Sequence, residues 1–341
     1  MFLTKRCNAR CPFCFYLKNN NPPDTDLEEL RLEEIGRISN SLDKLLWLAF
    51  SGGEIYLRRD LVEISTLFYK QNNPVFMLYP TNGLMPDLIN ERTEQILNLC
   101  NNSVIVVKLS IDDLFEKHDK LRDTPGSFKK TLKTYQLLSK LADKYNNFEL
   151  GVNTVFCAKN QHNMHKIIDY VAGLKHVKTH TISLVRGNLV HEEFKQINLN
   201  KYHEAVSYLA NNTKHKQQNI YRFKGARLKS AQDIKQGRIT HKTMQQQTRQ
   251  IPCYAGSSSI VISETGNVYP CEILTNSIGN VRQYDYDIQR LLKGNKANNI
   301  KKSINNNECY CTHECNIMTN ILFNPRMYPD LIHEYRQIKS A

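Results

Sequence analysis

Six short runs rich in β-branched and aromatic residues, at 1–6, 45–50, 75–80, 103–110, 148–157 and 178–185, alternate with stretches of helical periodicity at 27–42, 60–69, 88–99, 128–141, 164–174 and 202–209. This alternation constrains the fold more than any other feature, because parallel strands need crossovers long enough to hold a helix. It predicts an α/β chain with a parallel sheet under a helical outer layer. Six units fall short of the eight of a closed barrel, so a partial (β/α)6 barrel is expected over residues 1–212. The chain has 341 residues, 40% of them hydrophobic, which is enough apolar side chain for that core and a second, smaller domain.

From 213 to 250 the composition shifts to Lys, Arg, Gln and His with scattered apolar residues (Ile220, Phe223, Leu228, Ile234), which reads as a basic helical linker. Beyond it, 258–263 and 268–270 read as strands around Thr265-Gly266-Asn267, a tight turn. Residues 251–341 are expected to form a cysteine-rich α+β domain, with Asn305-Asn306-Asn307 in a surface loop. Forty-six Lys and Arg against 33 Asp and Glu leave +13, a balance that suits an acidic partner but also arises in any Lys-rich surface. Within the linker, Lys214, Lys216, Arg222, Lys224, Arg227 and Lys229 suit a phosphorylated substrate or form a solvated helix face. Tyr221 and Phe223 offer rings for base stacking, but no RNA-binding module accompanies them, so nucleic acid is the disfavoured partner. No apolar run approaches the roughly 20 residues of a membrane span, and the first residues are not a secretory signal, so a cytoplasmic location without membrane contact is expected.

Ten cysteines in a chain of this length are too dilute for a disulfide scaffold, and their grouping near the two ends points to metal ligation. Cys7-Asn8-Ala9-Arg10-Cys11-Pro12-Phe13-Cys14 puts three thiols directly after the first strand, where a βα barrel carries its chemistry. A [4Fe–4S] cubane takes four Cys, so three either borrow a distant fourth or leave one iron open to an outside ligand. Zinc is the competing metal, disfavoured because no suitably spaced fourth Cys or His follows in the loop. Cys100, behind the apolar face of a helix, and Cys157, on a strand, read as buried core thiols.

Cys7-x3-Cys11-x2-Cys14, with Phe13 before the third cysteine, resembles the cluster loop of the radical S-adenosylmethionine (SAM) enzymes. The resemblance implies a [4Fe–4S] cluster on Cys7, Cys11 and Cys14 whose open iron chelates the amino and carboxylate groups of SAM. Reductive cleavage then gives methionine and a 5′-deoxyadenosyl radical. Ser51-Gly52-Gly53-Glu54, after the second strand, is similar to the family's Gly-Gly-Glu element, which implies that Gly52, Gly53 and Glu54 receive the SAM ammonium. Paired glycines let the main chain approach a ligand, and an acid supplies a charge-assisted acceptor. Read alone, the same residues are a glycine turn and a helix N-terminal acid. Asn82 closes the third strand and Ser110 the fourth. Ser110 and Arg122 resemble contacts to the SAM carboxylate or ribose, the planar Arg fork suiting a carboxylate; otherwise they are a helix cap and a solvated helix charge. Asn153 on the fifth strand and Arg186 after the sixth complete the expected rim, where SAM and substrate contacts are not distinguished. At least one of Phe13, Phe15 and Tyr16 is expected to pack on the adenine.

Cys253, Cys271, Cys309, Cys311 and Cys315 fall in the last quarter. Cys253-x12-Gly266-x4-Cys271 resembles the opening of the SPASM and twitch domains appended to many radical SAM enzymes, and the shorter, single-cluster twitch form is the closer match. This implies one auxiliary [4Fe–4S] cluster. Cys253 and Cys271 are its first ligands, Cys311 and Cys315 the next, and Cys309 is the rival, because Cys309-x-Cys311-x3-Cys315 departs from the usual spacing. His313, inside the run, offers an imidazole to iron or zinc.

The resemblance further implies an oxidoreductase-type enzyme that takes hydrogen from an unactivated C–H bond, while the auxiliary cluster accepts or returns an electron. The outcome is oxidation or epimerisation. Asp112, Asp113 and His191 are acid–base candidates by location only. A small molecule, phosphorylated or nucleotide-linked, is the expected substrate, and an external electron donor such as flavodoxin or ferredoxin the expected partner. A peptide substrate is the alternative, lowered because no leader-recognition domain is expected ahead of Cys7. Non-enzymatic readings, an iron–sulfur sensor or a zinc-stabilised binding protein, leave the residues around the first cluster unexplained.

Overall fold

The computed structural model describes residues 1–16, 28–215 and 221–339. Strands β1 (Phe2–Thr4), β2 (Trp47–Ala49), β4 (Phe76–Thr81), β5 (Val104–Ser110), β6 (Phe148–Phe156) and β7 (Val177–Leu184) fall on the six expected runs, and a short β3 (Ser51–Gly52) lies just beyond the second of them, in the Gly-Gly-Glu element. They alternate with α1 (Leu32–Asn40), α2 (Leu61–Asn72), α3 (Pro86–Leu99), α4 (Phe115–Leu121), α5 (Ser127–Lys144), α6 (Met164–Ala172) and α7 (Leu199–His215). Helix α4 was not anticipated, because seven residues are too few to show a helical period.

Five strands form a parallel sheet in the order β2-β4-β5-β6-β7, and β1 pairs in parallel with β3. Between β2 and β3 the chain switches partner in one step: the Phe50 amide donates to Leu78 O (3.0 Å) and the Ser51 amide to Met1 O (2.9 Å). β1 therefore extends the series past β2, and the series stays open between β1 and β7. This is the partial barrel the sequence predicted.

Strand alternation divides the sheet into two chemistries. Ile105, Val107 and Leu109 of β5 and Leu150 and Val152 of β6 join Phe68 of α2, Ile96 of α3 and Leu138 of α5 in the buried outer core. Lys108, Ser110, Asn153, Thr179 and Thr181 take the intervening positions on the concave face. That face is polar, as a binding surface requires.

After residue 220, α8 (Ala226–Gln246) packs on α7. The expected boundary at 212 falls inside α7, which runs to His215. The basic side chains here are largely consumed within the fold. Lys214 is 6% exposed and pairs with Glu334 (2.6 Å). Arg222 donates to Ala142 O (3.0 Å), Lys229 pairs with Asp233, and the Arg227 guanidinium lies 4.3 Å over Tyr335. Tyr221 is buried, and Phe223 packs edge-on against Phe76, with ring centroids 4.7 Å apart at the start of β4. These rings fill the floor of the barrel and are not free to stack on bases. Lys216 lies outside the described residues.

The C-terminal part begins with the antiparallel sheet β8 (Val261–Ile262), β9 (Asn267–Tyr269) and β10 (Gly279–Asn280), and continues through α9 (Ile288–Lys293), α10 (Asn295–Asn305), α11 (Glu314–Leu322) and α12 (Tyr328–Gln337). The Asn305–307 run caps α10, with Asn307 left-handed at φ 61°. Helices α11 and α12 close on α8. The sheet docks on the barrel through Glu264, which accepts from Tyr16 Oη (2.6 Å), and through Arg282, whose Nε donates to Glu34 (2.7 Å). Among the described residues no helix is long and apolar enough to cross a membrane.

Candidate active site

The loop after β1 brings Cys7, Cys11 and Cys14 to the C-terminal ends of the strands. A tight turn orders it, the Cys14 amide donating to Cys11 O (3.0 Å) and the Ala9 amide to Cys7 Sγ (3.4 Å). Cys7 is exposed, Cys11 buried and Cys14 intermediate. Burial pushes the Cys11 thiol up to about 11, with the Arg122 guanidinium opposing it; Cys7, open to solvent on one side, is raised by partial desolvation against the Ala9 amide. Desolvated thiols beside a fixed cation favour exchange of protons for a metal charge. Three soft donors with no fourth in the loop fit a cubane with one open iron. Among the described residues no three His, Cys, Asp or Glu side chains are grouped closely enough to hold a single metal ion.

Gly52 and Gly53 hold this loop from beneath. Gly52 has φ +127°, and a Cβ would stand 2.4 Å from Thr4 O; at Gly53 it would stand 2.1 Å from Arg6 O. The close approach that glycine permits is thus made to the backbone of the cluster loop, fixed by the Gly53 amide on Thr4 O (2.8 Å) and the Glu54 amide on Arg6 O (2.9 Å). Glu54 is 1% exposed and accepts from the Asn82 amide (2.8 Å), the Tyr56 amide (3.2 Å) and the Thr81 hydroxyl (3.0 Å). Asn82 Nδ2 reaches Asn8 Oδ1 (2.7 Å) and Cys7 Sγ (3.9 Å), which ties the third strand to the cluster loop.

Burial pushes the Glu54 carboxyl up to about 7 against those hydrogen bonds. Because the folded value lies above the ordinary 4.5, the stabilisation this gives is complete below 4.5 and is lost as pH rises through about 7. The stability of the protein relative to its Glu54→Gln variant should therefore fall by up to roughly 3 kcal/mol over that window, read by denaturant unfolding without SAM. A pH-independent difference would show that the carboxyl is not desolvated. The same substitution should weaken SAM binding with iron content unchanged, since Glu54 is not a ligand.

Arg122 is not a solvated helix charge. It is buried and paired with Asp112, whose other oxygen accepts the Val155 amide (2.8 Å). Burial would lower Arg122, but Cys11 and Asp112 more than offset it and raise its pKa. Asp112 is raised by burial, with Arg122 opposing. His118 lends its Nδ1 to the Asp112 amide (3.2 Å), and burial lowers it to about 3. Asp113 binds the Leu114 amide (2.8 Å) and Asn163 Nδ2, joining the start of α4 to α6. His191 sits apart on the surface, 53% exposed and 3.5 Å from Glu193. Ser110 and Asn153 are register partners on the concave face, and Asn153 Oδ1 accepts from Ser183 Oγ (2.8 Å). Of the three aromatics, Phe13 packs on Phe194 (5.8 Å) and Tyr16 on Phe2 (5.2 Å), while Phe15 lies 5.6 Å under the Arg186 guanidinium.

Arg186 joins the barrel to the C-terminal domain, donating to Glu314 Oε2 (2.6 Å) and Glu272 Oε2 (3.1 Å). Burial would raise the Glu272 carboxyl, but His313 (3.0 Å away) and Arg186 together hold it well below the usual carboxylate range. Beyond this strut lies a partly open pocket of about 540 Å³ whose walls include Cys253, Cys271, Cys309 and Cys311 along with Ile251, Ile304 and Ile317. Four soft donors in one pocket with an aliphatic side fit an iron–sulfur cluster. Cys315 is not among the lining residues; it sits on the first turn of α11. Arg249, which sequence reasoning missed, braces the pocket by donating to Cys309 Sγ (3.2 Å) and Cys309 O (2.8 Å). Glu272 was also missed, although its place beside Cys271 was a visible signal. Cys100 and Cys157 are fully buried.

The radical SAM superfamily profile matches residues 1–171, and the profile of the SPASM iron–sulfur cluster-binding domain matches residues 253–316. The chain is 25% identical over 298 residues to an AdoMet-dependent heme synthase of Methanosarcina barkeri, covering 83% of this chain and 79% of that protein. It is 28% identical over 295 residues to the antilisterial bacteriocin subtilosin biosynthesis protein AlbA of Bacillus subtilis, covering 84% of this chain and 57% of that protein. Among solved structures, anSMEcpe with bound AdoMet and the Kp18Cys peptide shares the fold at a TM-score of 0.61, with 18% identity, 89% of this chain and 83% of that one.

Proposed function

The chain belongs to the radical SAM superfamily and carries a SPASM iron–sulfur domain, and from that premise we propose that it cleaves SAM reductively and oxidises or epimerises a substrate at an unactivated C–H bond. The observation that carries this reading is the single rim in which the Cys7, Cys11 and Cys14 loop is bonded to Gly53, Glu54 and Asn82 and faces Arg122. When loaded, the first cluster supplies the electron that splits SAM into methionine and a 5′-deoxyadenosyl radical, and the auxiliary cluster supplies an electron acceptor or donor for the substrate. The protein's own residues hold and orient these groups. Cys7, Cys11 and Cys14 would ligate the first cluster, and Arg122 balances thiolate charge beside it while Asp112 fixes the guanidinium. Cys253 and Cys271 would ligate the auxiliary cluster, with Cys311, Cys309 and Cys315 as the pool for the remainder. Ser110 and Asn153 present hydrogen-bonding groups to the concave chamber, and Arg186 holds the auxiliary domain in place against it.

A small molecule is the first substrate reading, with an external one-electron donor and a cytoplasmic location. The phosphorylated variant loses support, because four of the six linker cations, Lys214, Arg222, Arg227 and Lys229, are engaged within the fold. Peptide maturation is the second reading, favoured by the likeness to the subtilosin biosynthesis protein over 295 residues. Anaerobic reconstitution followed by dithionite and SAM tests the class: 5′-deoxyadenosine should accumulate, and its absence from protein with a full iron complement would reject the assignment.

A further inference from the structure

Lys108 belongs to none of the rim contacts. It stands on the concave face of β5 in register with Gly151 and Thr179, one row below Ser110, Asn153 and Thr181. Its side chain crosses β6 where there is no side chain in the way: a Cβ on Gly151 would lie 3.3 Å from Lys108 Cε and 2.2 Å from Thr179 Oγ1. The ammonium therefore rises toward the C-terminal rim and donates to Thr181 Oγ1 in the upper row.

An amine inside a barrel is costly unless paired. Among the described residues no carboxylate lies within ion-pairing distance of Lys108. The charged or titratable groups facing it are Asp233 and Lys229 of α8, the Cys315 thiol, and His180 of β7, which burial and Lys108 keep neutral. Asp233 is already engaged by Lys229 and by the Tyr221 hydroxyl (3.0 Å). Two cations thus share one carboxylate, and one positive charge in the chamber has no counter-ion. A cleft of about 650 Å³ among β7, α7 and α8 adjoins this position through Thr181; its wall includes Asp233, Ser230 and Glu314, the last already paired with Arg186. Ser230 is 2% exposed and its Oγ has no hydrogen-bond partner among the described residues.

We infer that Lys108 anchors a carboxylate of the substrate at the base of the concave chamber, beneath the position of the reacting C–H bond. A carboxylate is favoured over a phosphate because one uncompensated cation with flanking hydroxyls matches a single negative charge, whereas a phosphate dianion calls for several donors. The inference rests on the proposed function, which makes this chamber the substrate site, and names the substrate class within it.

The test uses holoprotein reconstituted anaerobically with SAM and two pairs of ligands in calorimetry: blocked alanyl-glutamyl-alanine against its glutaminyl counterpart, and glutarate against glutaramide. The acidic member of at least one pair should bind about ten-fold more tightly to the parent, the scale of one charge-assisted contact. Lys108→Met should remove that preference and Lys108→Arg retain it. Lys108→Gln, which keeps a donor for Thr181, replaces the Met variant if circular dichroism shows that the latter is unfolded. A preference in the tripeptide pair alone identifies a peptide carboxylate, and one in the glutarate pair alone a small acid. Equal binding within both pairs, no binding up to about 10 mM, or a preference that survives loss of the amine overturns the inference. Deoxyadenosine release by the parent separates the two levels: if it fails, the function itself is wrong, and if it succeeds without discrimination, only the Lys108 anchor is.

Discussion

Replacing Cys7, Cys11 and Cys14 together by Ala should lower iron from about eight to about four atoms per chain and abolish SAM cleavage, because one cubane of two is lost. The fold should persist. The loop is held by backbone contacts that the substitutions leave intact, the Glu54 amide on Arg6 O and the Gly53 amide on Thr4 O. Of the three thiols only Cys11 is buried, among Phe13, Leu84 and Leu121. Arg122 keeps Asp112 as its partner. Metal analysis and deoxyadenosine formation read the two effects, and unchanged iron would place the clusters elsewhere in the chain.

Changing Cys253 and Cys271 to Ala should have the complementary effect. The second iron signal disappears, and the sheet between the two positions loosens because metal binding and folding are coupled. SAM cleavage persists, since the first cluster's ligands all lie in the barrel, but substrate turnover fails for want of the electron acceptor or donor. The local expectation follows from the pocket walls: without the cluster, Cys253 and Cys271 no longer tie the sheet to the Ile304 and Ile317 side of the pocket. Spectroscopy and iron analysis against the parent decide the matter. Stoichiometric zinc in the parent without a second iron–sulfur signal would leave the C-terminal domain a purely structural role.

The strands and their order of use were legible because each is a local apolar run. β4 through β7 begin and end within two residues of the expected limits, and α6 starts at Met164 as its period indicated. The thiol groups were legible because three cysteines in eight residues have few alternative uses. Partnerships across long sequence separations were not. Arg186 acquires its carboxylates from 86 and 128 residues away, and Arg249 reaches Cys309 across 60. The basic linker misled for the same reason: composition records the charges of Lys214, Arg222 and Lys229 but not that Glu334, Ala142 O and Asp233 meet them.

The βα period, the two cysteine groups and their places after the first strand and in the last quarter are all written along the chain. Those are properties of neighbours along the chain, where spacing alone carries the chemistry. It takes the folded chain to show that Gly52 and Gly53 make their close approach to the cluster loop, that Arg122 is a buried partner of Asp112, and that Lys108 passes over Gly151 into a chamber with one charge unbalanced. Burial and counter-charge set what an ionisable group can do, and both depend on which distant segments fold against it.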